Sequence, residues 1–429
     1  MTHINKINIA LWAFVFVLSA CSEKISTGLL PASNLKRLGI KEKNVDRLDS
    51  LLGSALINQW ATGTSVLVAK EGQIIFGKSI GFKDRETKAL LRNIDEFRLS
   101  SMTKPIVSMA AMSLIEKGKL SLDDKVSKYL PEFASPKVIN TFKTKDTTYT
   151  TVAASQEITV RQLLTHTSGI GGATDTRMAM VYEKNNIPFL AFADKLTLVD
   201  RMKKLGTLPL GVQPNSQFYD GLSTDVLGAV LEKASGLTLD SVVSQNILRP
   251  LGMVNTYFFL PLQKSNRLNV MYSETIDGRL ERTQPLQGKL NFNYPINGAK
   301  SYLSGSSGMV STAEDYAKFL QMVLNKGKFN NKQIVSAQTI DLMTKNQLGD
   351  LTVNDNKFGY GFFISTDKGL KNGAKAGKLS GSGDFNTFFW IDTQRKAIAV
   401  LLTQVYPSYH SSELFNEFER IVNEILDNK

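Results

Sequence analysis

Apolar residues recur along the chain at two different periods. Val45, Leu48, Leu51, Leu52, Leu56 and Trp60 fall three or four apart and predict an amphipathic helix. TSVLVAK (64–70) and QIIFG (73–77), split by Glu71-Gly72, predict a β-hairpin. A second helix is expected from Ser101 to Lys117, stopped at Gly118. Between about 120 and 296, helical segments such as 223–236 and 237–252 alternate with Gly/Pro turns, and the Thr-rich 141–152 reads as a small hairpin or loop. Ser311-Thr312-Ala313-Glu314 reads as a capping box opening a helix that carries Tyr316, Phe319, Leu320, Val323 and Leu324. Three strand-like runs follow, 358–365, 386–392 and 397–404. A last helix sets Leu414, Phe415, Phe418, Ile421, Val422, Ile425 and Leu426 on one face.

Strands and flanking helices thus come from both chain ends, and helices from the middle. The expected fold is α+β, an antiparallel sheet in three layers with helices. The sheet domain would take 44–118 and 297–429, and an inserted, mostly helical domain 119–296.

The first 43 residues behave differently. Lys6 is followed by an apolar run, Ile9–Leu18, too short to span a bilayer. A basic start, a short apolar core and small residues before a cut site make a secretory signal. Its end, Leu18-Ser19-Ala20-Cys21, resembles the bacterial lipoprotein box. That resemblance implies a signal peptide at 1–20 and lipid on Cys21. It also implies a cell-envelope protein held to a membrane by that lipid; Ser22, rather than Asp, points to the outer membrane, facing the periplasm. Residues 21–43 read as a tether.

Composition narrows the chemistry. With 42% hydrophobic and 21% charged residues the 429-residue chain is a folded protein, not a disordered tail. Three histidines (His3, His166, His410) and one cysteine cannot build a structural zinc site or a disulfide framework, so neither metal nor cofactor is implied. A net charge of +12 raises a nucleic-acid question, but no stretch interleaves basic and aromatic residues. An envelope protein would instead turn its basic surface to anionic lipid, polysaccharide or substrate. Oligomeric state is not legible.

No G-x-S-x-G elbow is present, and no acidic partner can be assigned to His166, so a Ser-His-Asp hydrolase is poorly supported. A serine with a lysine base remains. Ser-x-x-Lys occurs three times: Ser33–Lys36 in the tether, Ser365–Lys368 at a strand end, and Ser101–Lys104 at a helix start. Only the last places the lysine one turn on, on the serine's face of an apolar helix, where backbone donors are free. A desolvated lysine can lose its charge and take the serine proton. A capping serine beside a surface lysine would look the same in so short a match.

The surrounding text separates the two. Residues 97–133, 158–170, 223–236, 247–253, 307–325 and 388–404 are similar, in order, to the serine β-lactamase superfamily, above all to its class C β-lactamase and family VIII carboxylesterase branch. The similarity runs over about 45–428. It implies a β-lactamase/D,D-peptidase-like fold and an acyl-enzyme formed on Ser101, with Lys104 as its base. The oxyanion hole would use the N–H groups of Ser101 and of the residue after the third motif, and His166 would be a structural turn residue.

Two departures matter. The family's second motif carries a tyrosine; counted from Pro214 its slot falls on Asp220, and counted back from Leu227-Gly228 some members' spacing puts it on Tyr219. The third motif, normally Lys, His or Trp before a small residue and Gly, is here Gly381-Ser382-Gly383 followed by Asp384. Its side chain for a substrate carboxylate is missing; one of Lys368, Lys371, Lys375 and Lys378 could replace it, or they form a solvated loop. The leading expectation is a carboxylesterase on small esters. A β-lactamase or D-Ala-D-Ala peptidase comes next, and a lipid-tethered binding protein with a decayed site third.

Overall fold

A computed structural model describes residues 28–188, 195–284 and 291–429. The expected signal segment and the lipidation site Cys21 lie outside the described residues.

One sheet organises the chain. Its strands are β1 (Leu30–Pro31), β2 (Gly63–Lys70), β3 (Gln73–Asp84), β4 (Ala89–Leu90), β5 (Lys357–Phe358), β6 (Phe363–Ile364), β7 (Leu379–Gly383), β8 (Thr387–Asp392) and β9 (Ala397–Leu402). They lie in the order β1-β3-β2-β9-β8-β7-β6-β5, with β4 on β3, so both chain ends meet where β9 pairs antiparallel with β2. The β2–β3 turn, Glu71-Gly72, has positive φ at both residues, which matches the twist of a tight hairpin.

The helices include α1 (Glu42–Ile57), α2 (Thr103–Glu116), α3 (Val160–Leu164), α4 (Thr176–Lys184), α5 (Leu198–Gly206), α6 (Ser223–Ser235), α7 (Ala313–Leu324) and α8 (Ser411–Leu426), with further short ones such as Leu239–Val243 and Ala337–Thr344. Alternate residues of the central strands point to opposite faces. Val66, Val68, Ala399 and Leu401 meet Leu48 and Leu52 of α1 and Phe418 and Val422 of α8. Leu67, Ala69, Ile398 and Val400 join the larger cluster that holds α2, α6 and α7. Each buried Leu, Val or Phe contributes roughly 1.5–3 kcal/mol, so the three layers hold together chiefly by this packing. The described part of the middle segment holds short helices joined by irregular loops, a hairpin, Lys137–Lys143 with Thr148–Ala153, and a short strand pair, Tyr272–Glu274 with Leu280–Arg282.

Four local expectations change. From residue 28 onward the expected tether packs down: Leu30 pairs with Gln73, α1 starts at Glu42, and Leu38 and Ile40 are buried against α1 and α8. The run 358–365 is two short strands, because Gly361 turns the chain at φ 97° where a Cβ would lie 3.1 Å from the Pro105 Cα. The cap of α7 is Thr312, which accepts from Asp315 N; Ser311 pairs with Thr256 instead. Residues 237–252 widen into a π-helical turn at Ser244–Leu248 rather than running as one α-helix.

Glu96, on the segment leading toward Ser101, is buried with neither carboxyl oxygen hydrogen-bonded. Burial pushes its carboxyl up to about 7, against the pull of Lys264 and Arg267. Its folded value therefore exceeds its unfolded one, so this contribution is full below about pH 4.5 and is lost as pH rises through about 7. Glu96→Gln is expected to flatten the fall in Tm between pH 5 and pH 8, by at most about 3 kcal/mol of stability. A variant whose Tm falls as steeply as the parent's would contradict this.

Candidate active site

Ser101 sits in a 3-10 turn, Ser100–Met102, that feeds α2. Four hydrogen bonds fix this turn. Leu99 N donates to Met309 O (2.9 Å), Thr387 Oγ1 to Leu99 O (3.1 Å), Tyr316 Oη to Met102 O (3.0 Å), and Met309 N to Thr103 Oγ1 (3.2 Å). Ser100 takes φ 47°, a strained conformation for a residue with a Cβ, and its buried hydroxyl donates to Asp384 Oδ2 at 3.1 Å. Pro105 is the third residue of α2, inside the first turn, where no backbone donor is lost.

Strand β7 runs beside this turn. A Cβ on Gly383 would lie 2.2 Å from Leu99 O and 2.5 Å from Thr387 Oγ1, so only glycine lets the strand approach the Ser101 turn this closely. A Cβ on Gly381 would strike the Phe389 ring at 2.6 Å. Ser101, Lys104, Asp220, Gly381, Ser382, Gly383 and Asp384 all line one cavity of about 440 Å³. Six of the residues expected to bind or react thus join Lys104 in one place. The Asp384 N–H, the expected second oxyanion donor, has no acceptor among the described residues.

Tyr219 is not among them. Its hydroxyl points away and donates to Asp175 Oδ2, its ring covers Gly211, and burial keeps its phenol protonated well above the usual range. Asp220 faces Lys104 instead: Nζ lies 2.7 and 3.0 Å from its two oxygens. The Lys104 side chain is 13% exposed and that of Asp220 49%, so the pair is seated in the wall with the carboxylate open to the cavity. Burial would raise the Asp220 carboxyl, but Lys104, His166 and the Gly221 N–H together hold it below its usual value.

His166 does have an acidic neighbour. Its Nδ1 is 3.3 Å from Asp220 Oδ1, though not aligned for a hydrogen bond. The ring is 3% exposed, packed edge-on against Phe358, and burial drives its pKa down to about 4, so it is neutral in the working range. At φ 55°, with its carbonyl accepting from Tyr219 N at 2.7 Å, it holds the turn that aims Asp220 at Lys104. Fifty-four positions separate the two residues, and no spacing rule links them.

The basic loop does not replace the missing third-motif side chain. Lys368, Lys371 and Lys375 are exposed and none lines the cavity. Lys378 is buried and paired with Glu419 of α8 in a neighbouring cavity of about 300 Å³, its pKa lowered to about 8 by burial. Phe218, Phe358, Phe363, Tyr406 and Phe415 line the cavity from four separate segments, a gathering that no local pattern in the sequence signals.

With this geometry in view, comparison with known proteins decides the family. The family model described as Beta-lactamase matches residues 46–422. The chain belongs to the Beta-lactamase family. It is 30% identical over 292 residues to Esterase EstB of Burkholderia gladioli, covering 65% of this chain and 69% of that one. It is 25% identical over 363 residues to a putative D-alanyl-D-alanine carboxypeptidase of Escherichia coli strain K12, covering 79% and 76%. Among solved structures, EstCE1, a hydrolase with promiscuous acyltransferase activity, superposes with a TM-score of 0.77 at 27% identity, over 89% of this chain and 99% of that one. The α+β, β-lactamase/D,D-peptidase-like fold expected from the sequence is the one found, and the chain is a serine hydrolase of the Beta-lactamase family.

Proposed function

We propose that this hydrolase is a carboxylesterase on small esters that works through an acyl-enzyme on Ser101. The observation that carries the reading is the cavity's wall. It joins a nucleophile at a helix start, a lysine–carboxylate pair and a glycine strand edge, yet among the described residues carries no unpaired cation for a substrate carboxylate. Ser101 Oγ attacks the ester carbonyl, its proton going to Lys104 Nζ as Nζ passes one of its own to the Asp220 carboxylate. The oxyanion is met by the N–H groups of Ser101 and Asp384. The pair then delivers the proton to the departing alkoxide, so an alcohol leaves and a Ser101 acyl ester remains. Water, giving its proton to the same pair, releases the acid and restores the serine. The relatives named as esterase and hydrolase support this chemistry.

D-Ala-D-Ala peptidase or β-lactamase action is the second reading, favoured by the carboxypeptidase relative. Turnover of p-nitrophenyl butyrate, nitrocefin and a D-Ala-D-Ala peptide by protein starting at Ser22 separates them. The ester is expected to be favoured in kcat/KM by at least about 100-fold, since the carboxylate of the peptide or of nitrocefin would lose water without gaining a cation. Comparable or faster D-Ala release or nitrocefin turnover would replace the first reading with the second. The reading includes an envelope lipoprotein, on the strength of the apolar run and Cys21.

A further inference from the structure

We propose that the Ser101 cavity selects esters carrying a cationic nitrogen and turns away those carrying a carboxylate. The proposal deepens the esterase reading and rests on it.

Among the described residues three charged side chains line the cavity: Lys104, Asp220 and Asp384. Lys104 and Asp220 neutralise each other at 2.7 Å. His166, the remaining titratable imidazole in the wall, is buried and neutral. That leaves the charge of Asp384 uncompensated. Its carboxylate is held by the Ser100 hydroxyl, a neutral donor, and no cation pairs with it among the described residues. The phenol of Tyr406, which also lines the cavity, is raised by burial and by Asp384, so it adds no charge of its own. Lys378, just beyond the far end of β7, lines a different cavity and is committed to Glu419.

Asp384 is exposed, and aromatic rings line the same cavity. Phe218, Phe358 and Phe363 contact one another with ring centres 5.0–5.9 Å apart, and Tyr406 and Phe415 close other sides. Ring faces attract cations and repel anions, and a partly enclosed site weakens solvent screening. An alkylammonium group would gain from Asp384 and the rings together. A carboxylate would meet both with the wrong sign, although the chain as a whole is strongly basic at +12. That global charge acts on approach from solution, whereas Asp384 acts inside the site.

The test uses charge-matched esters with Ser101→Ala as control. One series varies the alcohol: acetates of choline, 3,3-dimethylbutanol and 3-hydroxypropionate. A second varies the acyl part: ethyl esters of 4-(trimethylammonio)butyrate, 5,5-dimethylhexanoate and glutarate. In at least one series kcat/KM is expected to fall about tenfold from cationic to neutral and about tenfold again to anionic. Asp384→Asn is expected to compress both steps to about threefold or less. If neutral esters show no Ser101-dependent turnover, the esterase reading itself fails. If they are hydrolysed but the anionic ester matches or exceeds the cationic one in both series, or Asp384→Asn leaves the ratios unchanged, the charge selection is overturned.

Discussion

Ser101→Ala is expected to lower kcat for a neutral ester at least about 10⁴-fold, to near the rate in buffer. The size follows from covalency: without Oγ no acyl-enzyme forms, and the donors at Ser101 and Asp384 have no tetrahedral intermediate to stabilise. The neighbouring hydroxyl cannot substitute. Ser100 is buried, strained and bound to Asp384, and its side chain is not part of the cavity wall. The backbone of the turn is held by Leu99, Thr103, Tyr316 and Thr387, so the alanine variant should fold and melt within about 0.5 kcal/mol of the parent. Hydrolysis above about a tenth of the parent rate would show that the nucleophile lies elsewhere.

The second large effect concerns the pair opposite Ser101. Asp220→Asn is expected to cost about 10²–10³-fold in kcat, and Lys104→Ala at least as much. The double variant should lose little beyond Lys104→Ala alone, because two groups sharing one proton path act as a unit. Tyr219→Phe gives the contrast. Its hydroxyl serves Asp175 and not the cavity, so kcat should stay within about threefold while stability drops by about 1–3 kcal/mol. The reverse outcome, a catalytic loss in Tyr219→Phe with Asp220→Asn unaffected, would return the second-motif role to the tyrosine.

These two adjacent residues mark how far the sequence could be read. Periodicity was enough for α1, α7 and α8, since each buries one stripe on a sheet face. The β2–β3 hairpin was legible from Glu71-Gly72, because its turn needs that backbone geometry. That Ser101 and Lys104 line one cavity was legible because both lie within one turn of chain. The choice between Tyr219 and Asp220 was not. It depends on how Gly221 packs against the Gly171 carbonyl and on the Tyr219 hydroxyl reaching Asp175, contacts made by segments far apart in the chain. The same holds for Asp220 beside His166, for Lys378 beneath Glu419, and for the docking of residues 30–40 on the sheet edge. Local patterning carries no record of which distant surface covers a residue.

The central claim is that Ser101 becomes acylated. Intact mass of protein starting at Ser22, taken after incubation with a fluorophosphonate, tests it most directly. The account predicts one phosphonyl adduct per chain, absent in Ser101→Ala and slowed in Asp220→Asn. An unmodified parent, or an adduct that survives Ser101→Ala, would contradict it.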